Sequence, residues 1–205
     1  VTSLNDGSLK EKAAQNPDGK TTWSYPDPKW MAGVTIFDEH GMPDHVARVN
    51  TFTTAPFEKD REFTGQGVVV LHASSDQEDM DVIVKLSLVR PNTKGSHGQK
   101  VSQGWLRASH RAEDLELTSD MRPFHKHDCI ELIEPDKVYE LRIELLPMSF
   151  LVRKGDRIRL EISNEDSLIT DAPMTHWYGK KVGTDTYHHN AAYPSFLKIH
   201  ERPRS

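Results

Sequence analysis

Tyr139-Glu140-Leu141-Arg142-Ile143-Glu144-Leu145 puts an apolar side chain on every odd position and a charged one on every even position. Successive side chains of a β-strand point to opposite faces, so this period of two describes a strand with one face buried and one face wet. Ile158-Arg159-Leu160-Glu161-Ile162 repeats the pattern, and Val82, Val84, Leu86 and Leu88 form a third inward row. Val68-Val69-Val70-Leu71 is continuous, as expected of a strand inside a core. Arg48 to Thr53, Gly104 to His110 and Ser195 to Ile199 are further candidates. Turn formers separate these runs: Ser74-Ser75-Asp76, Pro91-Asn92, Pro135-Asp136 and Lys154-Gly155-Asp156. About seven to nine short strands without a long helix predict an all-β fold, an antiparallel β-sandwich. Clean alternation also argues against a parallel sheet covered by helices. The same pattern makes Ile143 a core residue and Arg142 an ordinary surface site.

The chain has 205 residues and 23.3 kDa, enough for one substantial core. Its β signal begins near Ala47, and residues 46–205 are expected to form the β-sandwich domain. Residues 1–45 hold Pro17, Pro26, Pro28 and Pro43 with little periodicity, and read as an extended connector. Within them Leu9 to Gln15 suggests about two helical turns, stopped by Asn16-Pro17-Asp18-Gly19. The chain starts at Val1, so it is expected to be a fragment or a processed product.

A net charge of -5 and a pI near 6.1 disfavour nucleic acid and anionic membranes as partners. No apolar run approaches the roughly 18 residues of a membrane-spanning helix. Cys129 is the single cysteine, which excludes a disulfide framework within the chain. The start of the chain lacks the pattern of a secretory leader, and with the lone cysteine this favours a cytoplasmic setting.

The motif G-x-S-x-G, which exposes the nucleophile of α/β-type serine hydrolases, is absent. Gly95-Ser96-His97-Gly98 has the wrong spacing and reads as a hairpin loop. His125-Lys126-His127 would put two imidazoles on one side of an extended segment, but two ligands beside Pro123 favour a solvated loop over a metal site. His188-His189 points to opposite faces, with one ring expected to be buried and hydrogen-bonded. The acidic run Asp76 to Asp81 is dense enough in oxygens for Ca²⁺, yet capping of turn backbone is its commoner use. Trp23, Trp30, Trp105, Trp177 and Tyr178 suit either a sugar-stacking platform or a core or domain interface.

Several segments, taken in order, resemble a known family. They are Thr51-Phe52-Thr53-Thr54-Ala55-Pro56-Phe57-Glu58-Lys59-Asp60, Ala73-Ser74-Ser75-Asp76, Asp79 with Asp81-Val82-Ile83-Val84-Lys85-Leu86, and Gly104-Trp105-Leu106-Arg107-Ala108. Leu146-Pro147-Met148-Ser149, Lys154 to Ser163, Thr186-Tyr187-His188-His189 and Pro194-Ser195 continue the series. Together they resemble the C-terminal β-domain of X-Pro dipeptidyl-peptidase and cocaine-esterase-like (CocE/NonD) hydrolases. The resemblance implies a jelly-roll of the galactose-binding-like type, preceded in the family by an α/β-hydrolase domain that carries a Ser-Asp-His triad. Two departures stand out: the family's Gly-His-Arg reads Gly155-Asp156-Arg157, and Leu168 to Gly183 is longer and more aromatic.

The resemblance therefore implies a non-catalytic accessory domain of a serine hydrolase acting on esters, amides or X-Pro peptides. Such a domain packs on the catalytic domain, shapes its substrate cleft and associates with further copies of itself. No catalytic residue, cofactor or metal is expected in this chain. A carbohydrate-binding module is the alternative. Trp23, Trp30, Met31, Trp177 and Tyr178 are the expected domain-interface residues, because such a chain should present an apolar face to its catalytic partner.

Overall fold

β8 (Tyr139–Val152) runs beside β5 (Arg61–Ser75), and this long antiparallel pair is the spine of the fold. The computed structural model describes residues 2–25, 49–92, 98–164 and 182–202. Its other strands are β1 (Thr2–Asn5), β2 (Ser8–Lys10), β3 (Lys20–Tyr25), β4 (Asn50–Thr54), β6 (Asp81–Val89), β7 (Gln99–Arg107), β9 (Arg157–Ser163), β10 (Gly183–His188) and β11 (Phe196–Arg202). A 3-10 turn at Ala108–His110 follows β7. The architecture is all-β, as expected, and every strand pairing is antiparallel except β2 with β4.

The free edge of β5 is shared by β11 on one half and β10 on the other, and β3 pairs outside β10. From β11 the ladder continues through β1, β2, β4, β9 and β6 to β7. The two ends of this path approach each other where β7 crosses β8. There the Ser102 hydroxyl donates to the Leu146 carbonyl over 2.6 Å. Inward rows from all these strands meet in one core, including Leu71, Val82, Val84, Leu86, Leu141, Ile143, Leu145, Leu160 and Ile162.

Leu141, Ile143 and Leu145 of β8 are buried, with Ile143 at 0% exposure. β9 buries Ile158, Leu160 and Ile162 in the same manner. β6 departs from simple alternation, because Ile83, Lys85 and Ser87 are buried as well as the expected row. A bulge at Gly65 shifts the β5–β8 register by one residue. Its φ of +103° is open to glycine and strained for other residues.

Residues 2–25 contribute three strands to this sheet, and Ser8–Lys10 is strand where helical turns were expected. Pairing with β1 and β4 holds this short segment extended, a tertiary constraint that local composition does not reveal. The departure at Asp156 has a local account. Its side chain is buried and accepts a hydrogen bond from the Arg153 backbone N–H at 2.9 Å, capping the turn before β9.

Candidate functional site

The connection from β7 to β8, residues 111–138, is long and carries little regular structure, yet it is pinned to the sheet along its length. Arg142 is the main clamp. Its guanidinium donates to the Glu113 carboxylate at 2.8 Å and to the Ser119 and Asp120 carbonyls at 2.9 and 3.2 Å. His125 is held from both sides, with Nδ1 3.2 Å from the Arg111 carbonyl and Nε2 2.9 Å from that of Arg142. Arg111 lies over the Tyr139 ring, 4.7 Å from its centroid, and donates to the Ala108 and Glu131 carbonyls. Further along, the Ile133 N–H bonds the Glu78 carbonyl, and its side chain is buried in the core. The Asp136 N–H closes onto Ser75 at 2.7 Å.

Arg142 therefore points to the outer face of β8, as the alternation predicts, but the loop covers that face. Its side chain is only 21% exposed. The expected ordinary surface site is instead an anchor, because alternation reports the side of a strand and not what a distant loop lays over it.

On this anchored loop five large apolar side chains face solvent: Leu115, at 85% exposure, with Leu117, Phe124, Ile130 and Leu132. Asp114 builds the turn beneath the first two, its carboxylate accepting from the Glu116 and Leu117 N–H groups at 2.9 and 3.3 Å. An unanchored loop could fold such side chains inward. This one holds them out on backbone that Arg142, Arg111 and His125 pin to the sheet. The interface residues expected from the sequence are mainly aromatic, whereas these side chains are aliphatic apart from Phe124. They stand among polar turn formers without periodicity, so no local pattern marks them.

Among the expected interface residues, Trp23 lies on β3, half-buried and packed against the core, with its indole N–H buried and without a hydrogen-bond partner among the described residues. Trp30, Met31, Trp177 and Tyr178 lie outside the described residues, as do Met174 and His176. Trp105 is half-buried at the wall of a cleft of about 360 Å³ that Phe124, His127, Glu144 and Leu146 also line.

The acidic run between β5 and β6 is committed to protein partners. The Asp76 carboxylate accepts from the Thr184 N–H at 2.9 Å. That of Asp79 accepts from the Met80 and Ser109 N–H groups and from the Ser109 hydroxyl. Asp81 pairs with Arg107 at 2.8 Å. Capping is thus the use these carboxylates find here. Among the described residues no group of three or more His, Cys, Asp or Glu side chains is placed to hold a metal ion.

A second cluster gathers His72, His188 and His189. The Ser74 hydroxyl lies 3.1 Å from His188 Nε2, a distance that suits a nucleophile and its base. Among the described residues Lys20, His72 and His189 are the groups that act on His188, and no carboxylate is among them. His189 is 1% exposed, with Nε2 2.9 Å from the Thr21 hydroxyl, Nδ1 3.5 Å from Asp6, and its ring edge-on to Phe52. The Ser195 hydroxyl donates to the His188 carbonyl at 2.5 Å and accepts from the His72 N–H at 2.9 Å. These contacts tie β10, β5, β3 and the start of β11 together.

Burial holds all three imidazoles below the ordinary histidine pKa, with Glu140 opposing this at His72 and Asp6 at His189. A depressed folded-state pKa means that the unfolded chain binds protons more readily. Stability from the three rings is thus fully present above the unfolded value of about 6.5 and falls away as the pH drops through the folded values. The urea midpoint is expected to fall between pH 7.5 and pH 5.5, and His189→Gln should flatten that dependence. An unchanged slope in the variant would remove His189 from the account.

The fold defines a class: an all-β domain rolled from one large, mainly antiparallel sheet, with no α-helix among the described residues. Residues 2–198 match the X-Pro dipeptidyl-peptidase C-terminal non-catalytic domain, and the chain belongs to that family. A "Putative serine esterase" of Mycobacterium bovis is 31% identical over 147 residues, covering 68% of this chain and 23% of the relative. A Mycobacterium tuberculosis protein of the same description matches equally well. In structure the chain is similar to a CocE/NonD family hydrolase from Staphylococcus aureus, with a TM-score of 0.76 and 21% identity. It is also similar to an aminopeptidase from a marine sediment archaeon, Thaumarchaeota archaeon, with a TM-score of 0.67 and 21% identity. Each of these solved structures covers 98% of this chain, which spans 36% of theirs.

Proposed function

We propose that this chain is the accessory domain of an α/β-hydrolase-type serine hydrolase, and that it docks on the catalytic domain through residues 111–138. The observation that carries the reading is the set of aliphatic side chains held out on an anchored loop: Leu115, Leu117, Ile130 and Leu132. A catalytic domain seated there would bury them, and Arg142, Arg111 and His125 keep the platform rigid before contact. Rigidity matters because ordering a loop on association costs free energy that preorganisation avoids. The domain would wall part of the substrate cleft and contribute no nucleophile. Family membership supports this division of labour, since the matched family is described as non-catalytic.

The chain by itself is expected not to hydrolyse p-nitrophenyl acetate or Gly-Pro-p-nitroanilide. Saturable turnover that a serine-directed fluorophosphonate abolishes would place a nucleophile in this domain and overturn the assignment. The Ser74–His188 contact supplies the internal control. If turnover is seen, Ser74→Ala shows whether that pair is its source.

A further inference from the structure

We propose that His110 and His127 form a two-imidazole binding site for a divalent transition-metal ion on the surface of this domain. The two Nδ1 atoms stand 3.3 Å apart, with ring centroids 5.3 Å apart. Two nitrogens bound to one Zn²⁺ at 2.0–2.1 Å in tetrahedral geometry are separated by about 3.3–3.4 Å. The pair is therefore already at the bite distance of one ion, although seventeen residues separate the two positions in sequence. Imidazole donors suit Zn²⁺, Cu²⁺ or Ni²⁺ rather than Ca²⁺ or Mg²⁺.

The backbone builds this approach deliberately. His127 has φ +54°, in the left-handed region that is uncommon for residues other than glycine. His127 keeps its ring beside that of His125, with centroids 6.1 Å apart, and also faces His110. His125 turns in to its two backbone carbonyls, while His127 swings toward His110 at the end of the 3-10 turn. Both nitrogens of His125 are taken by backbone carbonyls, so the ligand pair is His110 with His127.

With no third donor among the described residues, the bound ion keeps open positions for water or for an outside ligand. His127 also lines the 360 Å³ cleft, which gives room for them. Without metal, the contact of the two nitrogens needs a proton on one of them. Binding requires that this proton sit on Nε2, the tautomer that frees Nδ1 for the ion. The fold does not depend on the ion, because both rings lie outside the core.

The test is to strip the chain with EDTA and titrate it with Cu²⁺ and with Zn²⁺, following heat and, for Cu²⁺, the paramagnetic resonance spectrum. One ion per chain with two nitrogen ligands is expected. His110→Gln and His127→Gln should each weaken binding by at least about tenfold, the scale on which metal sites respond even to outer contacts. His127→Gly is the companion variant, since glycine accepts the left-handed backbone and removes only the ring. His200→Gln, at an exposed position of β11, should leave the affinity unchanged. Binding that persists in the His110→Gln, His127→Gly double variant, or that His200→Gln removes, would show adventitious association only and overturn the site. So would the absence of binding in the unaltered chain.

Discussion

Alanine at position 143 is expected to lower the unfolding free energy by about 2–5 kcal/mol, the usual cost of emptying a buried isoleucine site. Ile143 is fully enclosed on β8, opposite Val69 in the β5 ladder, and belongs to the central core cluster. Arg142→Ala is the informative companion. A free surface position would change stability by less than about 0.5 kcal/mol. Because Arg142 satisfies Glu113 and two loop carbonyls, its loss should cost about 1–3 kcal/mol, the penalty for stranding partly buried polar groups. Urea midpoints separate the cases. A neutral Arg142→Ala would mean that the loop is not clamped, and equal costs at both positions would mean that the two faces of β8 are not distinct.

Gly104→Ala should be at least as damaging, costing about 3 kcal/mol or more and abolishing the cooperative transition if the strands separate. A β-carbon at Gly104 would stand 2.0 Å from the Glu144 carbonyl oxygen, and that oxygen belongs to the backbone. A side chain can rotate away from such a clash, whereas a strand must move. Overpacking of side chains alone typically costs about 1–3 kcal/mol, and displaced backbone adds to it. Here β7 crosses β8 at close range and shuts the sheet on itself. A Gly104→Ala protein with an unchanged urea midpoint would show that this closure is looser than the geometry states.

What the sequence disclosed, and what it hid, follows from the range of the forces involved. The inward rows of β6, β8 and β9 were legible because one face of each meets the core, and alternation is the local trace of that burial. The strands in residues 2–25 were not. β1, β2 and β3 are short and polar, and are extended because β11, β4 and β10 pair with them. The acidic run Asp76 to Asp81 was read as a source of caps, and Asp76 and Asp79 serve as such. The exposed aliphatics of the 111–138 loop left no pattern, since nothing periodic holds a side chain away from a core. The approach of His110 and His127 was equally hidden, as it depends on one residue with a left-handed backbone.

The proposed docking role of residues 111–138 is tested most directly by the triple variant Leu115→Ser, Leu117→Ser, Ile130→Ser. The measurement is fluorescence of a hydrophobic dye and concentration-dependent aggregation, read beside the urea midpoint of the same samples. Side chains held out for a partner predict weaker dye binding and less aggregation, with the midpoint within about 0.5 kcal/mol of the unaltered chain, as for exposed positions. Undiminished dye binding, or a loss of several kcal/mol of the size seen when buried side chains are removed, would contradict it.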